Sequence, residues 1–183
     1  INTALYAIIK AKLLESFGGE AKIFIVGGAP MNQETEAFLR QINFPLTIGY
    51  GMTECAPLIS FAPPCEFKSG SCGKYLPGLM EAKIDSPDPH KIAGEILVYG
   101  ENVMMGYYKQ PEITAEVLSE DGWFKTGDYG MMNEYGQLII TGRKKNLIVL
   151  DNGKNIFPEE IEGYIQSIPY IKEVIVYGVK NAD

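Results

Sequence analysis

The chain has 183 residues, 46% of them hydrophobic, which is enough for a sizeable core and one or two domains. Its net charge of -7 and pI near 4.8, with 16 Lys and Arg that form no long basic run, exclude the footprint of a nucleic-acid binder. No apolar run approaches the roughly 20 residues of a spanning helix, so peripheral membrane contact alone stays open, and three cysteines without a C-x-x-C pair exclude a usual zinc site.

The first residues read as a helix with Leu5, Ile8, Ile9, Leu13 and Phe17 on one face, ended by Gly18-Gly19. Ile23 to Val26 read as a short, fully buried strand that runs into Gly27-Gly28-Ala29-Pro30. A helix is expected from about Asn32, with Glu34 and Glu36 where the helix dipole favours carboxylates. Leu46 to Ile48 begin a second buried strand leading into Gly49-Tyr50-Gly51-Met52-Thr53-Glu54. Strand, helix, strand with glycines at the strand ends is the rhythm of an α/β layer, whose ligands bind beyond the carboxyl ends of the strands.

From about Phe61 the pattern changes. Prolines and glycines punctuate short strand candidates at Lys83-Ile84, Glu95 to Tyr99 and Leu138 to Thr141, the last after the turn Asn133 to Gly136. Such spacing predicts a small β-barrel or sandwich. Pro111 stands at a first helical position before a short helix to about Leu118. Beyond Lys145, Leu147 to Leu150 and Lys154 to Phe157 flank an Asn-Gly turn and predict a hairpin. A helix opens at Pro158 with Ile161, Tyr164, Ile165 and Ile168 on one face, and Val174 to Val179 read as a strand. The missing initiator Met and the stop just after that strand lead us to expect an internal fragment of a longer chain.

Taken singly, the glycine segments admit two readings each. GGAP is a tight turn or a ligand loop. GYGMTE is a strand-end turn, or an aromatic, two glycines, a hydroxyl and a carboxylate gathered for a base, a phosphate and a magnesium ion. In GWFKTGD, Asp128 caps a turn or accepts from two ribose hydroxyls. Arg143 is a solvated charge or a site residue.

Their order says more. GGAP, GYGMTE, GEILVYGENVMMGYY, PEITAE, GWFKTGD and GRKKNLIVLDNGKNIFPEEIE, taken in series, resemble the acyl-CoA synthetase, luciferase and peptide-synthetase adenylation superfamily from about Phe24 to Gly178. The last segment looks most like the long-chain fatty acid–CoA ligases, through its hinge lysine and NGKN hairpin. The resemblance implies an α/β plus β-barrel fold: the C-terminal part of an acyl-CoA synthetase large domain, then the start of the small α+β C-terminal domain. Residues 1–65 would be the α/β portion, 66–144 the β-barrel subdomain, and 145–183 the hinge and the beginning of the lid.

The resemblance also implies roles. Gly28, Ala29 and Pro30 would line the adenine pocket and the neighbouring acyl site. Tyr50 would stack on adenine, with Gly51 and Met52 beside it. Thr53 would bond the α-phosphate and Glu54 would hold magnesium, these two being the catalytic pair. Asp128, helped by Arg143, would bind the ribose hydroxyls. Lys145 would be the hinge, and Asp151 to Phe157 would swing in for thioester formation. The substrates implied are ATP, a fatty acid and coenzyme A, with acyl-AMP as the intermediate, and the setting implied is the cytoplasm with peripheral contact on a membrane. The family's Gly/Ser/Thr-rich phosphate loop and its late catalytic lysine have no counterpart here, so the fragment alone is expected to be inactive. Two alternatives stand beside this reading: another adenylate-forming ligase, or a nucleotide-binding or interaction module without chemistry.

Overall fold

The computed structural model describes residues 2–166 and 168–179. Helix α1, Asn2–Ser16, stops at Gly18 and Gly19, whose φ values of +87° and +78° suit glycine, with the Gly19 N–H donating back to the Leu14 carbonyl at 2.8 Å. Its packed face is only partly the expected one. Tyr6, Ile9, Leu13 and Leu14 meet Ile42, Phe44 and Leu46, whereas Leu5, Ile8 and Phe17 are exposed. The helix is apolar on more than one side, so periodicity admits two stripes, and the partner surface selects between them.

Strands β1, Phe24–Val26, and β2, Leu46–Ile48, pair in parallel, Phe24 opposite Leu46 and Val26 opposite Ile48. Parallel neighbours need a crossover, supplied by α2, Gln33–Gln41. Asn32 caps α2, its side chain accepting from the Thr35 N–H at 3.0 Å. β1 is not fully buried, as the expectation had it. Phe24 and Val26 join the core under α1, but Ile25 points to the other face and is 49% exposed. A two-stranded layer covered on one side leaves alternate residues open.

Three short strands follow as one antiparallel sheet: β3, Tyr50–Gly51, β4, Leu58–Phe61, and β5, Lys74–Tyr75. The next sheet is a four-stranded antiparallel meander of β6, Met80–Asp85, β7, Gly94–Gly100, β8, Phe124–Met132, and β9, Leu138–Arg143. Among the described residues β6 and β9 do not pair, so the sheet is open and no barrel closes. That corrects the expected β-barrel: the small strands are there, but the ring of hydrogen bonds a barrel requires is not. Tyr50, Cys55, Ile59, Met80, Ile84, Ile96, Val98, Phe124 and Leu138 form a core shared by the two sheets.

Helix α3, Pro111–Val117, carries Pro111 in its first turn. The hairpin of β10, Ile148–Val149, and β11, Asn155–Ile156, turns through Gly153 at φ +79°. Helix α4, Pro158–Gln166, lies against β9, but Ile161, Tyr164 and Ile168 of its expected apolar face are exposed. Residues 174–179 are not a strand. They keep a strand's alternation, with Val174 and Val176 half-buried and Ile175, Tyr177 and Val179 exposed, but no described strand pairs with them. Extended backbone becomes a strand only through a neighbour's hydrogen bonds. No described helix is long and apolar enough to cross a membrane.

Candidate active site

The parallel pairing of β1 and β2 sets two glycine loops side by side. Gly49 donates its N–H to the Val26 carbonyl at 2.8 Å, and a Cβ added to Gly27 would lie 3.0 Å from the Gly49 oxygen. Gly27 to Pro30 are all exposed at this end of the layer. Next to them the chain turns tightly: Met52 donates to the Pro57 carbonyl at 2.7 Å, a Cβ at Gly51 would collide with that same carbonyl, and Ala56 takes a left-handed conformation at φ +56°. Thr53 to Cys55 form a single 3-10 turn that presents Thr53 to solvent and leaves Glu54 half-buried.

Tyr50, Asp128 and Arg143 come together although 93 positions separate the first from the last in the numbering, because β3 packs into the core against the meander. The Tyr50 hydroxyl donates to Asp128 Oδ2 at 2.8 Å, and Arg143 Nε stands 3.4 Å from Asp128 Oδ1. Asp128 and Arg143 are directly opposed in the β8–β9 register. The Asp128 N–H donates to Thr126 Oγ1 at 3.1 Å, and that hydroxyl donates to the Ile96 carbonyl at 2.8 Å. Asp128 therefore sits inside the meander, not as a turn cap. Its residue exposure is 7%, while the Arg143 side chain is 73% exposed and offers most of its guanidinium outward.

Burial and the adjacent Asp128 charge push the Tyr50 phenol well above the usual tyrosine range, so it stays a donor. Its ring belongs to the shared core and keeps 9% of its surface open, little for a base to stack on. A carboxylate has about four acceptor sites. Tyr50 and Arg143 engage one oxygen each, so Asp128 keeps capacity for further donors.

Glu54 is not part of that trio. Its Oε1 accepts from the Tyr107 hydroxyl at 2.8 Å, in the segment between β7 and α3. Tyr107 has no expected role; its trace in the sequence is the tyrosine pair that closes GEILVYGENVMMGYY. Among the described residues no group of three His, Cys, Asp or Glu could hold a metal ion. Glu54 alone fits a magnesium ion that takes its remaining ligands from phosphate and water, since its Oε2 carries no hydrogen bond from the described residues. Burial pushes the thiols of Cys55 and Cys72 up to about 11, and Cys65 is exposed; all three are free.

Lys145 lies in the 3-10 turn Lys144–Asn146 and is exposed. Both neighbours are tied. Lys144 Nζ reaches Glu95 Oε2 of β7 at 2.6 Å, and Asn146 Nδ2 reaches Glu159 Oε1 of α4 at 2.5 Å. Two cavities lie away from Tyr50 and Asp128. One, of about 740 Å³, is lined by Tyr75, Leu79, Tyr99, Met104 and Leu118, and another, of about 520 Å³, borders Tyr107 and Thr114.

Residues 1–108 match the family model described as AMP-binding enzyme. The chain is 35% identical to the Saccharomyces cerevisiae long-chain-fatty-acid–CoA ligase 1 over 180 residues, 96% of this chain and 26% of that protein. It is 36% identical to an Escherichia coli long-chain-fatty-acid–CoA ligase over 188 residues, 99% of this chain and 33% of that protein. The chain thus spans about a quarter to a third of the curated relatives it matches. Among solved structures it is similar to the O-succinylbenzoate coenzyme A synthetase (MenE) of Bacillus subtilis in complex with ATP and magnesium ion, at TM-score 0.78 and 31% identity, over 93% of this chain and 38% of that one. It is also similar to apo MatB from Rhodopseudomonas palustris, at TM-score 0.69 and 32% identity, over 97% of this chain and 37% of that one.

Proposed function

We propose, from the premise that this chain belongs to the AMP-binding enzyme family, that it carries the adenylate-holding part of an ATP-dependent acid–thiol ligase. The observation that carries the reading is the contact of Tyr50 and Arg143 with the buried Asp128. In this reading the remaining acceptor sites of Asp128 take the ribose hydroxyls, and Arg143 helps to hold the carboxylate in place. Gly28, Ala29 and Pro30 with Gly51 and Met52 line the base, on the two loops that β1 and β2 set side by side. Tyr50 supplies the edge of that pocket and the donor that orients Asp128.

The first half-reaction brings a carboxylate oxygen onto the α-phosphorus of ATP with release of pyrophosphate. Its barrier is largely the approach of one anion to another. Thr53, exposed beside the glycine loop, would donate to the α-phosphate, and Glu54 would hold magnesium. When bound, magnesium would neutralise phosphate charge and orient the leaving oxygens. The adenylate then passes its acyl group to the coenzyme A thiol, with Lys145 as the hinge between the two arrangements. The division at 1–65, 66–144 and 145–183, and a cytoplasmic setting with peripheral membrane contact, belong to the same reading. Three free thiols support the reducing compartment.

For the acid we propose a long-chain fatty acid, supported by the names of the curated relatives. The likeness to the O-succinylbenzoate enzyme and to MatB favours a second reading, in which another carboxylic acid is activated. ATP–pyrophosphate exchange by the whole protein with a panel of acids separates the two. Exchange with long-chain fatty acids supports the first, and exchange confined to other acids supports the second. The nucleotide site is tested on the chain itself by calorimetric titration with AMP. Saturable binding that weakens about tenfold or more in Asp128→Asn is expected, since a hydrogen bond to a charged group contributes roughly 1.5–3 kcal/mol. Equal affinity in the variant would reject the assignment.

A further inference from the structure

Glu54 is held from outside its own loop. Its backbone carbonyl accepts from the Met104 N–H at 2.8 Å, and its side chain accepts from the Tyr107 hydroxyl at 2.8 Å. One residue on, the Cys55 carbonyl accepts from Asn102 Nδ2 at 2.8 Å, and the same amide reaches the Leu58 carbonyl at 3.3 Å. Residues 102–107 thus grip the 3-10 turn at three points and the first residue of β4 at a fourth.

Tyr107 is itself fixed. Its N–H donates to Thr114 Oγ1 at 2.9 Å, and the Thr114 hydroxyl donates to the Gln110 carbonyl at 2.8 Å. Gly106, at φ +144°, makes that approach possible, because a Cβ there would come within 2.7 Å of Thr114 Cγ2. The result is an anchored phenol aimed at one carboxylate oxygen. Tyr108, the next residue, is exposed and makes no such bond, its ring lying under Lys109 Nζ at 5.2 Å instead. A carboxylate left to itself rotates about its terminal torsion, which is broad. Holding Oε1 fixes that torsion and commits Oε2 to a single direction.

We propose that Tyr107 is a positioning residue for Glu54, locking one carboxylate oxygen so that the other is presented to the cation that accompanies the nucleotide phosphates. This rests on the proposed reading of Glu54 as the metal residue. It assigns a second task to a segment whose Val103 and Met104 also pack against the shared core. Asn102 serves the same end by seating the turn that carries Glu54.

The test is nucleotide binding by the full chain with and without metal, using manganese as the ion. ATP affinity is measured in EDTA and in excess manganese, and AMP in EDTA serves as the metal-independent probe. For Tyr107→Phe we expect unchanged AMP binding, unchanged thermal unfolding within a few degrees, and loss of about tenfold of the manganese enhancement of ATP binding. Tyr108→Phe should leave the enhancement intact. In a Glu54→Gln background Tyr107→Phe should add nothing, because the two act through one carboxylate. Enhancement retained within twofold in Tyr107→Phe, or full additivity with Glu54→Gln, would overturn the proposal while leaving the nucleotide site standing. Absence of AMP binding in the unaltered chain would overturn the site and the positioning role together.

Discussion

Asp128 is a carboxylate taken almost wholly out of water and given two donors from different elements. Removing one donor leaves a buried acceptor short, so Tyr50→Phe is expected to cost about 2 kcal/mol in urea unfolding. The pH dependence has a definite sign. The folded state raises the Tyr50 pKa above its ordinary value of 10.0, so between those limits the native chain keeps a proton that the unfolded chain releases. This contribution is full below pH 10 and is lost as pH rises further. Lys144, raised by its hydrogen bond to Glu95, acts in the same direction from 10.5 upward. Stability measured from pH 8 to 11 should therefore fall at the alkaline end, and more gently in Tyr50→Phe; an unchanged slope would contradict the role given to burial. Asp128 and Arg143 were legible as motif members, and their opposition in the sheet register agrees with that pairing. Tyr107 was not legible, because nothing local separates it from Tyr108. Only the docking of 102–107 onto another part of the chain chooses between the two.

At the scale of elements, the caps and turns were readable and the coverage was not. Asn32 before α2, Pro111 in α3, the Asn-Gly hairpin and the glycine stop after α1 are local chemistry, and the structure follows each. The barrel, the buried β1 and the strand at 174–179 depended on what lies across from them, which single-chain periodicity does not encode. One junction does depend on a single residue. Cys72 donates to the Leu138 carbonyl at 2.7 Å and Leu138 donates to the Gly73 carbonyl at 2.8 Å, tying the segment before β5 to the start of β9. Gly73 has φ +75°, and a Cβ there would strike the Phe61–Ala62 backbone. Gly73→Ala should cost about 3 kcal/mol or more, from left-handed strain together with overlap. Chemical denaturation checks it, and a loss under 1 kcal/mol would mean that β4 yields easily.

For the whole molecule, many large apolar side chains are exposed. Leu5 and Ile8 of α1, Ile23 and Ile25 around β1, and Ile175, Tyr177 and Val179 near the end all face solvent. Exposed apolar surface favours association where it can be covered by a second molecule. Sedimentation should show self-association that grows with concentration and persists in high salt, since the driving force is apolar; a strictly monomeric chain at high concentration would contradict it. Charge does not prevent this, because -7 spread over 183 residues is modest. A last consequence concerns the tethers on either side of Lys145. With Lys144 bound to β7 and Asn146 bound to α4, the backbone freedom between those moorings is chiefly the φ and ψ of one residue. If Lys145 turns as the proposed hinge, the bond that would give way first is the long one, from the Leu147 N–H to the Lys144 carbonyl at 3.3 Å. Motion there would resemble a key turning in a lock more than a rope going slack, and a proline at 145 would jam it at one setting.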